Sequence, residues 1–160
     1  MKKTILIGGA IGIVAILSLV GCLGSGQQKA GTNQQSNGEN PVQQNDTMIS
    51  IPLAGLSTTA KFYAYDASGV TIRYFTAKDA KGSVHVAFDA CDVCYAAKKG
   101  YKQVGDVMQC LNCGRQFAIS SIGTENTQGG CWPSYLPMTV NGSAITIKIA
   151  DLIDKLYMFE

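Results

Sequence analysis

Three stretches near the middle of the chain, Lys61-Phe-Tyr-Ala-Tyr65, Val70-Thr-Ile-Arg-Tyr-Phe75 and Val84-His-Val-Ala-Phe88, are dense in aromatic and β-branched residues. Side chains of that shape fit a pleated, half-buried surface. The stretches are separated by Asp66-Ala-Ser-Gly69 and Asp79-Ala-Lys-Gly82. In each, an Asp can bond its own backbone and a Gly can take a positive φ, so both read as turns. The pattern predicts a three-stranded antiparallel meander. Met48 to Leu53 predicts an additional edge strand, because Pro52 has no amide to give to a neighbour. Further on, Asn141-Gly142 marks a turn, Ser143 to Ile149 alternates apolar and polar as one more strand, and a short helix from Asp151 closes the chain. The expected fold class is mostly β with a minor α part: an antiparallel β-meander domain with a cysteine-bearing insertion between Phe88 and Pro133.

The N-terminal third has a different pattern. Met-Lys-Lys precedes an uncharged apolar run from Thr4 to Val20, followed by Gly21-Cys22. A positive start, a short apolar stretch and a small residue before the break describe an export signal over residues 1–21. Leu19-Val20-Gly21-Cys22 resembles the lipobox of secreted lipoproteins, which implies that Cys22 is a lipid attachment point. The alternative is an uncleaved transmembrane anchor, for which about 17 residues is the lower limit. Both readings place the remainder on the extracytoplasmic side of a cell membrane. Residues 22–47 are rich in Gln, Asn, Gly and Ser, with little to bury, and predict a flexible tether. About 25 such residues give an average reach of about 25 to 30 Å. The head, residues 48–160, is the size of one domain.

Charge narrows the function classes. The head carries ten Lys and Arg against nine Asp and Glu. A near-neutral balance gives no support to nucleic-acid binding.

Candidate chemistry concentrates in cysteine. Cys91-Asp-Val-Cys94 and Cys110-Leu-Asn-Cys113 stand 15 residues apart, a C-x2-C-x15-C-x2-C layout that fits a four-thiolate metal site. Each C-x-x-C turn can aim two sulfurs at one centre. Gly114, directly after Cys113, lets the backbone turn under the sulfur and point amides at it; the first pair has Tyr95 there. Gly100 to Asp106 predicts a small hairpin between the pairs, the build of zinc-ribbon and rubredoxin-like knuckles. Two disulfides are the alternative for an exported chain, whereas a thioredoxin-like redox pair would need a βαβ setting that the pattern lacks.

Cys131, in Gly129-Gly130-Cys131-Trp132-Pro133, exceeds what a four-thiolate site needs. The paired glycines are expected to bring backbone close to a neighbour, and Pro133 to stiffen the exit. This thiol could complete a cluster, support it, bind a second metal, or stay unpaired. His85, the only histidine, is a ligand candidate or a half-buried strand residue. Met108 and Met138 are soft enough for Cu(I) but more often fill cores. Asp89 and Asp92 flank Cys91 and are expected to make turn hydrogen bonds. No Ser-His-Asp arrangement or phosphate loop is present, so no enzyme activity is expected.

Phe88-Asp-Ala-Cys91-Asp-Val-Cys94-Tyr95, Lys99-Gly-Tyr101, Gly105-Asp106, Cys110-x-x-Cys113-Gly-Arg-Gln-Phe117, Ile122-Gly123 and Gly129-Gly-Cys131-x-Pro133 together resemble the FtrD-like membrane iron-sulfur proteins. The likeness runs from about Lys61 to Leu136, and Trp132 stands where the family usually has Asn. It implies an extracytoplasmic, membrane-associated domain with an iron-sulfur centre or iron, zinc being the alternative. It also implies partners in membrane redox or iron transport, and roles as metal ligands for Cys91, Cys94, Cys110, Cys113 and Cys131. Many members are larger multi-span proteins, while this chain has one N-terminal apolar segment.

Overall fold

A computed structural model of the protein describes residues 42–160. The export segment, Cys22 and most of the expected tether lie outside the described residues. The meander forms as its sequence pattern indicates: β3 (Lys61–Ala67), β4 (Val70–Lys78) and β5 (Val84–Cys91) pair antiparallel in order. Their turns use the expected chemistry. The Gly69 amide donates to Asp66 Oδ1 at 2.7 Å, and the amides of Lys81 and Ser83 each donate to Asp79 Oδ1 at 2.9 Å.

Two further sheets cover the two faces of the meander. The first contains β1 (Gln43–Gln44), β2 (Met48–Pro52), β10 (Thr139–Asn141) and β11 (Ala144–Lys148), in the order β1-β2-β11-β10. The Met48 stretch is therefore not an edge strand of the meander: it lies inside a separate sheet. Pro52 fits because it is the last residue of β2, where no further ladder bond is needed. β1 falls within the stretch expected to be tether. Ile49, Ile51, Ile145 and Ile147 of this sheet pack on Ile72, Tyr74, Val86 and Phe88 of the meander. Helix α1 (Ile149–Ile153) follows β11 directly, starting two residues before Asp151, and adds Leu152 to the same core.

The other face of the meander presents Phe75, Ala77, Ala87 and Cys91. Against it packs a three-stranded sheet of β6 (Tyr101–Val104), β7 (Val107–Cys110) and β8 (Gln116–Ala118), contributing Tyr101, Met108, Cys110 and Phe117. The expected hairpin is β6–β7, turning at Gly105-Asp106, while β8 carried too short a pattern to be foreseen. Coverage on both faces explains why β5 is buried at six successive positions and is apolar there except at Asp89. Phe75 and Phe88 on opposite faces are fully buried, each contributing about 1.5 to 3 kcal/mol. Gln103 fastens the small sheet to the approach to β3: its Oε1 accepts from the Ala60 amide and its Nε2 donates to the Thr58 carbonyl, both at 2.7 Å.

β9 (Pro133–Tyr135) joins the outer edge of β5. Its register sets Pro133 opposite Cys91, an edge position and a strand start, both of which tolerate proline. This pairing delivers the Cys131 loop to the end of β5. No helix among the described residues is long and apolar enough to cross a membrane.

Candidate metal centre

The five cysteines of the described residues are free thiols and gather at one end of the meander and the small sheet. Cys91 is the last residue of β5 and Cys110 the last of β7; both are buried. Cys94 and Cys113 lie in the turns that follow, and Cys131 in the loop before β9. The sulfurs of Cys91, Cys94 and Cys131 form one group within 4.8 Å of one another, and those of Cys94, Cys110 and Cys113 form a second. Cys94 belongs to both groups. Cys131 Sγ stands 3.3 Å from Cys94 Sγ and 3.3 Å from Cys113 Sγ, so it closes the set. The fifth thiol is thus part of the cluster.

Each knuckle folds around amide-to-sulfur contacts. Burial works against ionisation of Cys91, but contacts led by the amides of Val93 and Cys94 outweigh it and bring this thiol below its ordinary value. For Cys110, burial prevails over the amides of Cys113 and Asn112 and pushes the thiol up to about 11. Exposed Cys113 is brought down to about 7, first by the Arg115 amide and then by the Cys131 thiol. Burial, followed by the Cys113 and Cys94 thiols, drives Cys131 upward. The raised Cys110 and Cys131 thiols hold protons that a bound cation would displace, so metal binding at such a set depends on pH.

The glycine beside the second pair does what its position suggested. Gly114 takes φ +76°, its amide donates to the Cys110 carbonyl at 2.9 Å, and the chain turns so that the Arg115 amide faces Cys113. The first knuckle reaches the same kind of contact without glycine by running into a 3-10 turn, Tyr95–Ala97. Gly129 and Gly130 behave differently from expectation. A side chain at Gly129 would meet open space and one at Gly130 only an Arg115 guanidinium nitrogen at 3.6 Å. Their glycines serve positive φ values of +69° and +79°, not close approach.

The remaining candidates separate from the site. His85 Nδ1 is 2.9 Å from the Ile122 carbonyl and Nε2 is 3.3 Å from Asp79 Oδ2, so both ring nitrogens are engaged away from the thiols. Met108 is fully buried in the core between the meander and the small sheet, and Met138 packs on the opposite core. Asp89 and Asp92 bond across loops, not within turns. Asp89 accepts from the Tyr101 amide at 2.6 Å and pairs with Arg73 Nε at 3.1 Å. Asp92 Oδ2 accepts from Asn126 Nδ2 at 3.0 Å, and the same nitrogen donates to the Gly130 carbonyl at 3.0 Å, tying the first knuckle to the Cys131 loop. Trp132 sends its ring nitrogen to the Thr124 carbonyl at 3.1 Å and sets its ring edge-on to Phe117.

Two contributors escaped the sequence reading of chemistry. Asn126 carried no signal, since its partners lie 34 and 4 residues away. Tyr101 was legible in principle: with the hairpin turning at Gly105-Asp106, simple counting sets Tyr101 opposite Cys110. Its hydroxyl is buried and makes no hydrogen bond among the described residues. It lies beside the Cys91 sulfur without reaching hydrogen-bond geometry. Burial, then the nearby Cys91 thiol, pushes the phenol far above its ordinary value, so the hydroxyl keeps its proton.

The donor set is all sulfur, the set preferred by iron-sulfur clusters, zinc and Cu(I), and the cluster of cysteines can hold a metal ion. A buried donor with no acceptor beside that set fits a bound group that would accept its hydrogen bond. Among known proteins, the model of one family, described as membrane iron-sulfur containing protein FtrD-like, matches residues 55–159. No curated protein and no solved structure matches the chain.

Proposed function

Because the chain belongs to the FtrD-like family of membrane iron-sulfur proteins, we propose that its five-thiol cluster holds an iron-sulfur centre and that the protein is an extracytoplasmic electron-transfer module. In this reading the export signal is removed, Cys22 carries the lipid, and the Gln/Asn-rich tether presents the head to membrane redox or iron-acquisition partners. The observation that carries the proposal is the convergence of Cys91, Cys94, Cys110, Cys113 and Cys131 from three separate loops, all as free thiols.

An iron-sulfur centre supplies one-electron transfer, at a potential set by its charge, its exposure and the hydrogen bonds to its sulfurs. The chain's own residues arrange those conditions. Buried Cys91 and Cys110 hold the inner side, and exposed Cys113 opens the outer side to a partner. Amides of Val93, Cys94, Asn112, Cys113 and Arg115 face the sulfurs and stabilise their anionic form. Asn126 holds the Cys131 loop against the first knuckle. Four thiolates complete either a structural zinc site or an iron-sulfur centre, so the preference for iron-sulfur comes from the family and not from the fifth thiol. A thiolate-filled coordination sphere leaves no open position for water, so the proposal includes the absence of hydrolytic activity.

The test is anaerobic purification of the protein with iron and acid-labile sulfide analysis and electron paramagnetic resonance. A coloured protein with iron and sulfide in matching amounts supports the proposal. A colourless protein with one zinc per chain refutes it in favour of a zinc-pinned structural module.

A further inference from the structure

Tyr101 is the one residue at the centre with a donor and nothing to give it to. The residue is 4 % exposed, and its ring is locked between Phe75 and Phe117, with centroids 6.2 Å away on each side. Its amide is fixed as well, donating to Asp89 at 2.6 Å. Ring packing and the amide bond together hold the hydroxyl at this place. An orphaned buried hydroxyl is costly, and folded proteins carry few of them. Its neighbours are sulfurs: Cys91 first, then Cys110 and Cys131.

We propose that the Tyr101 hydroxyl is a hydrogen-bond donor reserved for the bound centre, given to a ligating thiolate or an inorganic sulfide, and that it acts as a positioning residue setting metal affinity and redox potential. The inference rests on the reading of the cluster as a metal centre but does not depend on which metal it holds. A sulfur that has gained negative charge by losing its proton accepts more strongly than a neutral thiol. The hydroxyl is thus a burden in the metal-free state and an asset in the loaded one. For an iron-sulfur centre, the bond strengthens as the centre is reduced and its sulfurs become more negative, so it favours the reduced form.

Tyr101→Phe tests this directly, because it removes one oxygen and keeps the ring contacts. Metal affinity is measured on the full-length protein by competition with a chelator, once with zinc and once with ferrous iron. The variant is expected to bind each about tenfold more weakly, the worth of one hydrogen bond to a charged acceptor, while its unfolding midpoint without metal stays equal to wild type or rises. On protein carrying iron and sulfide, redox titration is expected to show a more negative midpoint potential for Tyr101→Phe at unchanged iron content. Equal metal affinity in the two proteins, or an unchanged potential, overturns the inference. Tyr101→Leu provides the contrast: loss of its ring lowers stability in both metal-free and loaded states, the signature of a merely structural role. A wild-type protein that carries zinc and no iron defeats the proposed function, yet the zinc comparison still decides the role of Tyr101.

Discussion

Gly100→Ala offers a sharp test of how the knuckles are supported. Gly100 has φ +69°, and a Cβ there would overlap the Asp89 carboxylate. Left-handed backbone costs an alanine about 1 kcal/mol. To make room, the carboxylate must withdraw from the Tyr101 amide, with which it makes a 2.6 Å bond at a side chain only 10 % exposed. Loss of a buried hydrogen bond to a charged group adds about 2 kcal/mol. The Arg73 pair, whose guanidinium side is 38 % exposed, adds at most about 0.5 kcal/mol after solvent screening. The expected total is about 3 kcal/mol, read by urea denaturation at constant m-value. Gly69→Ala is the control: φ is +99° and nothing lies within 4 Å of its added carbon, so only the backbone cost of about 1 kcal/mol remains. In an Asp89→Ala background the Gly100→Ala penalty should fall to the level of that control. Equal losses for Gly100→Ala and Gly69→Ala, or an undiminished penalty in the Asp89→Ala background, would refute the steric account.

Three further outcomes are expected. His85→Ala should keep its full metal content, since both ring nitrogens bond to Asp79 and Ile122, and should lower the thermal midpoint; metal analysis showing a loss would restore His85 as a ligand. Cys131→Ser should lower metal affinity in chelator competition, because Cys131 touches both Cys94 and Cys113, and unaltered affinity would remove it from the centre. Asp79 has a carboxyl pKa below the ordinary value: burial opposes ionisation, but the Ser83 amide, His85 and the Lys81 amide prevail. Its stabilising effect is therefore complete above the unfolded-state value near 4 and fades as pH falls through the lower folded-state value. Asp79→Asn should lose less stability than wild type between pH 5 and pH 3 in acid denaturation, and parallel acid limbs would contradict this.

The meander and its turns were legible because their causes are local. Alternation and β-branched density mark β3, β4, β5 and β11, and Asp-x-x-Gly turns satisfy their own backbone. The partner of β2 was not legible. Met48–Pro52 shows that it is a strand, yet pairing with β11, almost a hundred residues later, depends on which faces two sheets have left to bury. The short β8 and β9 are held by their neighbours, β7 and β5, with too few residues for a period to show.

For the centre, the sequence alone determined that Cys91 pairs with Cys94 and Cys110 with Cys113, since two residues between cysteines fix their sulfurs on one tight turn whatever the rest of the chain does. It also determined that a fifth cysteine needed an explanation. The tertiary structure decided its place, through the Cys91–Pro133 register and a position of Cys131 within 3.3 Å of two other thiols. It likewise withdrew His85 to Ile122 and left the Tyr101 hydroxyl without a partner beside the sulfurs. The physical reason is loop closure: covalent spacing governs contacts within a turn, whereas contacts between distant loops form only where packed sheets bring their ends together.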